Sequence, residues 1–282
     1  MSARLLDGRD LASHLRRELS HRVERLSDPE SGRAPVLAIL RDRSSGPAAV
    51  YAASLERAAR AIGVTTRLVE GSHASELEPA LSDLNADGDV AGIVIAQPFA
   101  DARAGRRLVE RIDPARDVDG ATPTNAGWLA RGEPAFVPAT ALAVIALLEA
   151  ADIELAGRRA VIVGRSAVVG RPVASLLLAR DATVVVCHRS TRNLARETRR
   201  AEVLVAAAGA PDLIRPEMVN RSAVIVDCGI NAIDGRIVGD VDFERVAPVV
   251  SAITPVPGGV GPVTPMMVLR QTVEAAERRA VG

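Results

Sequence analysis

The sequence predicts a two-domain α/β protein, and three observations predict it. Short apolar runs alternate with helical stretches in two separate blocks. The stretch between the blocks, 113–132, is rich in Asp, Pro, Gly and Thr and has no period. At about 150 residues per domain, 282 residues leave room for two cores. Alternation at this spacing calls for parallel sheets with crossover helices.

Each element follows from its pattern. Residues 10–27 place Leu11, Leu15, Leu19, Val23 and Leu26 at helical spacing. The run 36–40 reads as a buried strand, and 48–62 as a helix closed by Gly63 at a C-cap position. Strand 64–69, helix 75–85 and strand 91–96 complete the first block. The stretch 113–132 reads as a loop leading into a linking helix over 139–151. In the second block, 160–163, 182–187, 203–207 and 223–227 are near-continuous Val/Ile/Ala runs, the mark of strands covered on both faces. Residues 255–265 read as a Pro/Gly loop and 266–279 as a closing helix. The expected domains are 1–138 and 139–263, with a final helix, 264–282, packing back on the first.

Composition removes several classes of function. The chain carries 35 basic and 35 acidic side chains and is formally neutral, which argues against nucleic acid or an anionic membrane surface as the main partner. Only 2% of residues are aromatic, too few for base-stacking platforms. No apolar run reaches the roughly 18 residues of a membrane span, and no signal-peptide pattern opens the chain. The expectation is a cytoplasmic protein. Cys187 and Cys228 sit in apolar runs as reduced thiols would, and the four histidines show no ligand spacing, so no metal site is expected. Every basic side chain is arginine, so lysine bases and Schiff bases are excluded.

The sharpest motif opens the second block. A strand ending at Val163 runs into Gly164-Arg165-Ser166-Ala167-Val168-Val169-Gly170-Arg171-Pro172 and then a helix. Gly164 would permit the tight turn and Gly170 a close approach of backbone to phosphate, while the helix N-terminus offers free amides to a pyrophosphate. The spacing is GxSxxxG rather than GxGxxG. An NAD site usually places an acidic residue at the end of the next strand, about 20 residues on. This chain has Cys187-His188-Arg189-Ser190-Thr191 there, with no carboxylate. Arg189 and Ser190, joined by Arg165, suit a ribose phosphate, which favours NADP while leaving NAD open. Gly209 and Ile230 follow the C-terminal ends of later strands, where ligands of open sheets bind. The run 258–262 reads as a flexible loop able to close over a substrate.

Together the segments RSAVVGRP, CHRST, the 209–211 turn, DCGIN, GDVDFE and ITPVPGGVGPVT resemble the bifunctional methylenetetrahydrofolate dehydrogenase/cyclohydrolase family, in order and at matching intervals. Asp117-Val118-Asp119-Gly120 resembles that family's DVDG loop. The resemblance covers nearly the whole chain. It implies a folate-side domain followed by a Rossmann-like NADP domain, an active-site cleft between them, and a homodimer. It also implies NADP-dependent oxidation of methylene-tetrahydrofolate to the methenyl cation, then hydrolysis to formyl-tetrahydrofolate. By position, Tyr51 would pack on the aminobenzoyl ring, Asp119 would bond the pterin, and Pro257, Gly258 and Gly259 would touch the substrate.

The departures are as informative as the matches. The family's Tyr-x-x-x-Lys is Tyr51-Ala52-Ala53-Ser54-Leu55 here, so Leu55 stands at the lysine position. The usual serine three residues before the tyrosine is Ala48. The family's Gln-Leu-Pro-Leu-Pro reads Ala96-Gln97-Pro98-Phe99-Ala100, with Gln97 displaced by one and a doubtful substitute. Pro-Cys-Thr-Pro reads Pro138-Ala139-Thr140-Ala141. Hydride transfer moves no proton and needs mainly positioning, whereas hydrolysis needs proton transfer, worth roughly 10²–10⁴-fold. The expectation is a dehydrogenase with weak or absent cyclohydrolase activity. Two alternatives stand beside it: a folate-dependent methylene transferase and a non-catalytic folate/NADP binder.

Overall fold

The computed structural model describes residues 3–26 and 34–281. The expected end of the first helix at Ser27 lies outside the described residues. In chain order, strand β1 (Arg4–Leu5) precedes helix α1 (Gly8–Leu26). There follow β2 (Val36–Asp42), α2 (Gly46–Arg60), β3 (Thr65–Gly71), α3 (Ala74–Ala86), β4 (Val90–Ala96), α4 (Ala102–Val109) and α5 (Pro123–Ala130). The second block runs α6 (Ala139–Ala150), β5 (Arg159–Val163), α7 (Gly170–Leu178), β6 (Thr183–Cys187), α8 (Leu194–Thr198), β7 (Val203–Ala206) and β8 (Val224–Asp227). A hairpin of β9 (Asn231–Ile233) and β10 (Arg236–Val238), helix α9 (Phe243–Val246), strand β11 (Ala252–Ile253) and helix α10 (Val260–Val281) complete the chain.

Two compact units divide these elements. The described residues of Ser13–Val137, with those from Pro265 on, form one. It holds a three-stranded parallel sheet in the order β3-β2-β4. Its central strand buries Leu37, Ala38, Ile39 and Leu40 completely, as a strand covered on both faces must. One face packs Leu77, Leu81 and Leu84 of α3 and Leu108 of α4 against Leu40, Ile93 and Ile95. Each such side chain taken from water contributes about 1.5–3 kcal/mol.

The other unit contains the described residues up to Ala12 and Pro138–Thr264. Its six-stranded sheet is parallel throughout, in the order β1-β11-β8-β7-β5-β6. The strand order reverses direction about β5, whose neighbours are β6 and β7, which is the switch point where ligands of doubly wound sheets bind. Because β1 pairs with β11, the start of the chain extends this sheet, whereas the sequence reading placed residues 1–138 in one domain.

Two local expectations need correction, and one short helix adds to the expected elements. The 113–132 loop contains α5: Thr122 caps it by accepting the Asn125 N–H, and Pro123 sits at its first turn, where no N–H is lost. Helix α4 follows no long apolar period; Asp101 starts it by accepting the Arg103 and Ala104 N–H groups as an N-cap. The closing helix begins at Val260 rather than at 266, so Val260, Gly261 and Pro262 are helical and not part of a flexible loop. Pro262 is tolerated in the first turn; Pro265, inside the helix, gives up one backbone bond.

Candidate active site

In the six-stranded unit, the ends of β5, β6 and β7 surround a cavity of about 520 Å³. Gly164, Arg165, Ser166 and Arg189 line it, as do His188 and Thr191. Gly164 leaves β5 at φ +136°, and a Cβ there would stand 2.0 Å from the Ala207 carbonyl oxygen. Only glycine fits that turn. Gly170 begins α7, and packing alone already requires glycine there. A Cβ would meet the Gly164 carbonyl oxygen at 2.2 Å, so this glycine packs the turn against the helix. The Ser166 hydroxyl accepts the Val169 and Gly170 N–H groups at 3.1 and 3.4 Å, capping α7. Arg165 and Arg189 are exposed guanidinium groups on the cavity wall, suited to an anionic phosphate.

Gly170, Ser190, Gly209 and Ile230 are not among the lining residues. Ser190 is exposed and its N–H donates to His188 Nδ1 at 3.2 Å. His188 and Thr191 close this turn: the His188 N–H donates to the Thr191 hydroxyl at 2.8 Å and the Thr191 N–H to the His188 carbonyl at 2.7 Å. Gly209 turns at φ +66° between Ala208 and Ala210, which do line the cavity. Ile230 is 74% exposed before the β9–β10 hairpin.

Behind the cavity lie two buried carboxylates that sequence reasoning missed as site residues, Asp227 and Asp240. Asp227, at the end of β8, accepts the N–H groups of Gly229, Asp240 and Val241 at 2.8, 3.0 and 2.9 Å. Burial pushes its pKa up to about 6, opposed by those amides and assisted by the Asp240 charge. Cys187 is buried and Cys228 half-buried; burial raises both thiols.

The loop expected to touch substrate lies in the same unit. A cis peptide joins Val256 to Pro257, and Gly258 follows at φ +124°. The Gly8 N–H donates to the Gly258 carbonyl at 2.9 Å, and a Cβ on Gly8 would lie 1.8 Å from the Gly259 carbonyl oxygen. The Asp7-Gly8 pair at the start of α1 was the available signal for this contact.

The three-stranded unit carries the remaining candidates. The Ser45 hydroxyl accepts the Ala48 N–H and starts α2, with Pro47 in its first turn. Tyr51 is half-buried on this helix, and its phenol is held well above the usual range, first by burial and then by the negative charge of Asp119. The Asp119 charge thus acts on the Tyr51 phenol. Leu55, one turn on, is completely buried in a stripe with Ala48, Ala52, Ala59 and Ile62. Ala96 ends β4 with no exposure, while Gln97, in the bend just beyond the strand, is exposed. A cis peptide joins Gln97 to Pro98, and Phe99 packs into the core beside Gly105.

Asp119 is held by its neighbours. Asp117, wholly buried, accepts the Ala121 and Thr122 N–H groups and the Asn125 side-chain amide. A Cβ on Gly120, φ +58°, would strike the Val137 backbone at 2.4 Å. From α10, Gln271 donates to the Val118 and Val137 carbonyls and accepts the Val137 N–H, so each of its polar atoms is paired on the two segments flanking Asp119.

Comparison with known proteins matches these features to described families. Residues 6–119 match the profile described as Tetrahydrofolate dehydrogenase/cyclohydrolase, catalytic domain, and residues 138–280 that described as Tetrahydrofolate dehydrogenase/cyclohydrolase, NAD(P)-binding domain. The chain belongs to the tetrahydrofolate dehydrogenase/cyclohydrolase family. Bifunctional protein FolD of Chloroflexus aggregans is 43% identical over 283 residues, covering 99% of each chain. That of Moorella thermoacetica is 42% identical over 99% of this chain and 100% of its own. The crystal structure of the bifunctional FolD enzyme from Campylobacter jejuni superposes with a TM-score of 0.94 at 38% identity, covering 99% of this chain and 100% of that one. The Trypanosoma brucei FolD, solved with NADP cofactor and an inhibitor, gives 0.94 at 33% identity over the whole of both chains.

Membership in the tetrahydrofolate dehydrogenase/cyclohydrolase family establishes the two-domain α/β fold. It also sets Leu55 and Ala96 in relief, since both lie in the segment matched to the family's catalytic domain. No helix among the described residues is long and apolar enough to cross a membrane.

Proposed function

We propose that this chain oxidises 5,10-methylenetetrahydrofolate to the 5,10-methenyl form with NADP and hydrolyses that product poorly. The observation that carries the reading is Leu55: a completely buried leucine one helical turn from Tyr51, where the resemblance expects a lysine. The likeness to the methylenetetrahydrofolate dehydrogenase/cyclohydrolase of Campylobacter jejuni and to the NADP complex of the Trypanosoma brucei enzyme supports the oxidation. The donor set of the cavity fits the cofactor, with the 164–166 turn for the pyrophosphate and Arg165 and Arg189 for the ribose phosphate. When bound, NADP supplies the hydride acceptor. Tyr51 then packs on the aminobenzoyl ring, Asp119 accepts from the pterin, and Pro257, Gly258 and Gly259 shape the substrate's surroundings.

The electron pair leaves the methylene carbon with its hydrogen, and the cation spreads over two folate nitrogens. No side chain has to move a proton in that step, so loss of an ammonium leaves it intact. Hydrolysis requires deprotonation of water and reprotonation of a ring nitrogen, and neither Leu55 nor Ala96 can serve. By the same resemblance we infer a homodimer acting in the cytoplasm; sedimentation of the purified chain at twice the monomer mass tests the first.

The test of function is to mix protein, methylenetetrahydrofolate and NADP and follow NADPH and methenyl absorbance together. Stoichiometric NADPH with methenyl persisting at its spontaneous decay rate is the expected result. NADPH without methenyl build-up refutes the hydrolytic part, and absence of NADPH refutes the oxidation.

A further inference from the structure

The geometry points to Asp240 as a positioning residue that shapes the nucleotide cavity through the Ala208–Gly209–Ala210 turn, with Asp227 holding Asp240 in place. Asp240 is not among the residues that line the cavity. One carboxylate oxygen accepts the Ala208 and Gly209 N–H groups at 2.6 and 2.9 Å. The other accepts the Ala210 N–H and the Asn231 side-chain amide, both at 2.9 Å. Three successive N–H groups that converge on one point form an anion-binding concavity. Here the protein fills that concavity with its own charge, and Ala208 and Ala210 are left facing the cavity.

Asp240 is itself fixed from behind. Asp227 accepts the N–H groups of Asp240 and Val241, and its own N–H donates to the Thr254 hydroxyl at 2.8 Å. Ile214 pairs on both sides, its N–H donating to the Asp240 carbonyl and its carbonyl accepting from Asp242, each at 3.0 Å. There is no slack. A Cβ on Gly239 would stand 1.9 Å from an Asp227 carboxylate oxygen, and one on Gly229 would stand 2.4 Å from the Asp240 nitrogen. The two glycines are small because the two carboxylates occupy the space. A chain of contacts thus runs from the end of β8, through Asp227 and Asp240, to the turn after β7.

The chemistry makes the claim specific. In Asp240→Asn one acceptor becomes an NH₂ group. Each oxygen position faces two donors, so either rotamer sets a donor against donors. The turn must then move or lose its bonds, whereas the 164–166 turn and Arg189 are untouched. Asp240→Glu keeps the charge but displaces the carboxylate by a methylene from the four donors whose bonds it now accepts.

The consequence for NADP rests on the cofactor reading proposed above, so the experiment separates the two. Full-length wild type, Asp240→Asn and Ile225→Val, a core change in the same sheet, are compared for NADP dissociation constant, tetrahydrofolate dissociation constant, melting temperature and amide hydrogen exchange at 208–210. Asp240→Asn is expected to raise the NADP constant about 10- to 100-fold, the range typical of supporting-shell changes. It should also expose the 208–210 amides to exchange and leave the tetrahydrofolate constant within about twofold. Ile225→Val lowers the melting temperature without moving the NADP constant, and a merely structural role for Asp240 would give that same pattern. Unchanged exchange at 208–210 in Asp240→Asn overturns the proposal. Faster exchange in a protein whose wild type binds no NADP upholds the positioning of the turn and refutes the cofactor reading. Where Asp240→Asn does not fold, Asn231→Ala removes one donor and spares the carboxylate. It should raise the NADP constant about fivefold, the effect of one hydrogen bond, and no change there overturns the proposal.

Discussion

An Asp42 carboxylate oxygen accepts the Ala100 N–H at 2.9 Å across 58 positions of sequence. The other oxygen accepts the Ser44 N–H and hydroxyl at 2.8 and 2.6 Å. One buried carboxylate at the end of β2 therefore ties together two segments of the same unit. One leads into α2 with Tyr51 and Leu55; the other follows Ala96 and Gln97.

Those bonds hold the Asp42 carboxyl below the ordinary value of 3.8, the Ala100 amide contributing most. A carboxyl lowered on folding adds stability that is present above the unfolded value and lost as pH falls through the lower native one. Asp42→Asn should therefore be destabilising at pH 7 by about 1–3 kcal/mol. The gap between wild type and variant should narrow as the pH drops below 3.8. Urea unfolding of both proteins at a series of pH values measures it; a gap that widens in acid contradicts the assignment.

Gly8 sets a second constraint. With 1.8 Å between a Cβ at that position and the Gly259 carbonyl oxygen, Gly8→Ala must push the 257–259 loop away or bend α1 at its start. The expected outcome is a melting temperature several degrees lower and tetrahydrofolate binding weakened by about tenfold or more, with NADP binding little changed. Calorimetric titration with each ligand separates the two effects. Equal losses for both ligands would point to general unfolding instead.

Arg189 provides the test of nucleotide choice. It lines the cavity at the end of β6, where a carboxylate for ribose hydroxyls would otherwise stand. A hydrogen bond to a charged group contributes about 1.5–3 kcal/mol, so Arg189→Ala should raise KM for NADP roughly 10- to 100-fold. KM for NAD should shift by less than about threefold. Steady-state kinetics with both nucleotides decide it, and parallel losses would assign Arg189 a role other than reading the phosphate.

Much of the fold is legible in the sequence. The Val/Ile/Ala runs gave β2, β4 and β5 to within two residues, because strands buried on both faces leave no other composition open. Gly63, read as a C-cap, stands at φ +83°. What escaped was information carried by single residues rather than periods. Helix α5 announces itself only by Thr122 and Pro123, inside a segment whose Asp and Gly content reads as loop. The start of α10 hides behind Pro262, which breaks a helix interior but suits a first turn. Asp42, Asp227, Asp240 and Gln271 act on partners far away in the chain, and no local pattern marks a carboxylate that will accept backbone amides from a distant turn. Gly170 has a second reason to be glycine that the motif does not announce, the Gly164 carbonyl of its own loop.

The last prediction concerns Leu55 directly. If hydrolysis is slow because the proton-transfer group is missing, restoring the group should restore the step. Leu55→Lys alone places an amine in a stripe that is completely buried, where an ammonium is costly to desolvate, so that variant should lose stability. The same burial lowers an amine's pKa toward the range useful for proton transfer. Ala96→Gln supplies an amide at the other altered position. The Leu55→Lys/Ala96→Gln double variant should therefore hydrolyse methenyltetrahydrofolate roughly 10²–10⁴-fold faster than the parent, the usual worth of a general acid–base group. NADP reduction should stay within a few-fold, since hydride transfer asks only for position. Single-turnover decay of methenyl absorbance in parent, single and double variants gives the answer. A double variant that folds, reduces NADP and still hydrolyses no faster than solvent would show that Leu55 and Ala96 are not what limits the second reaction.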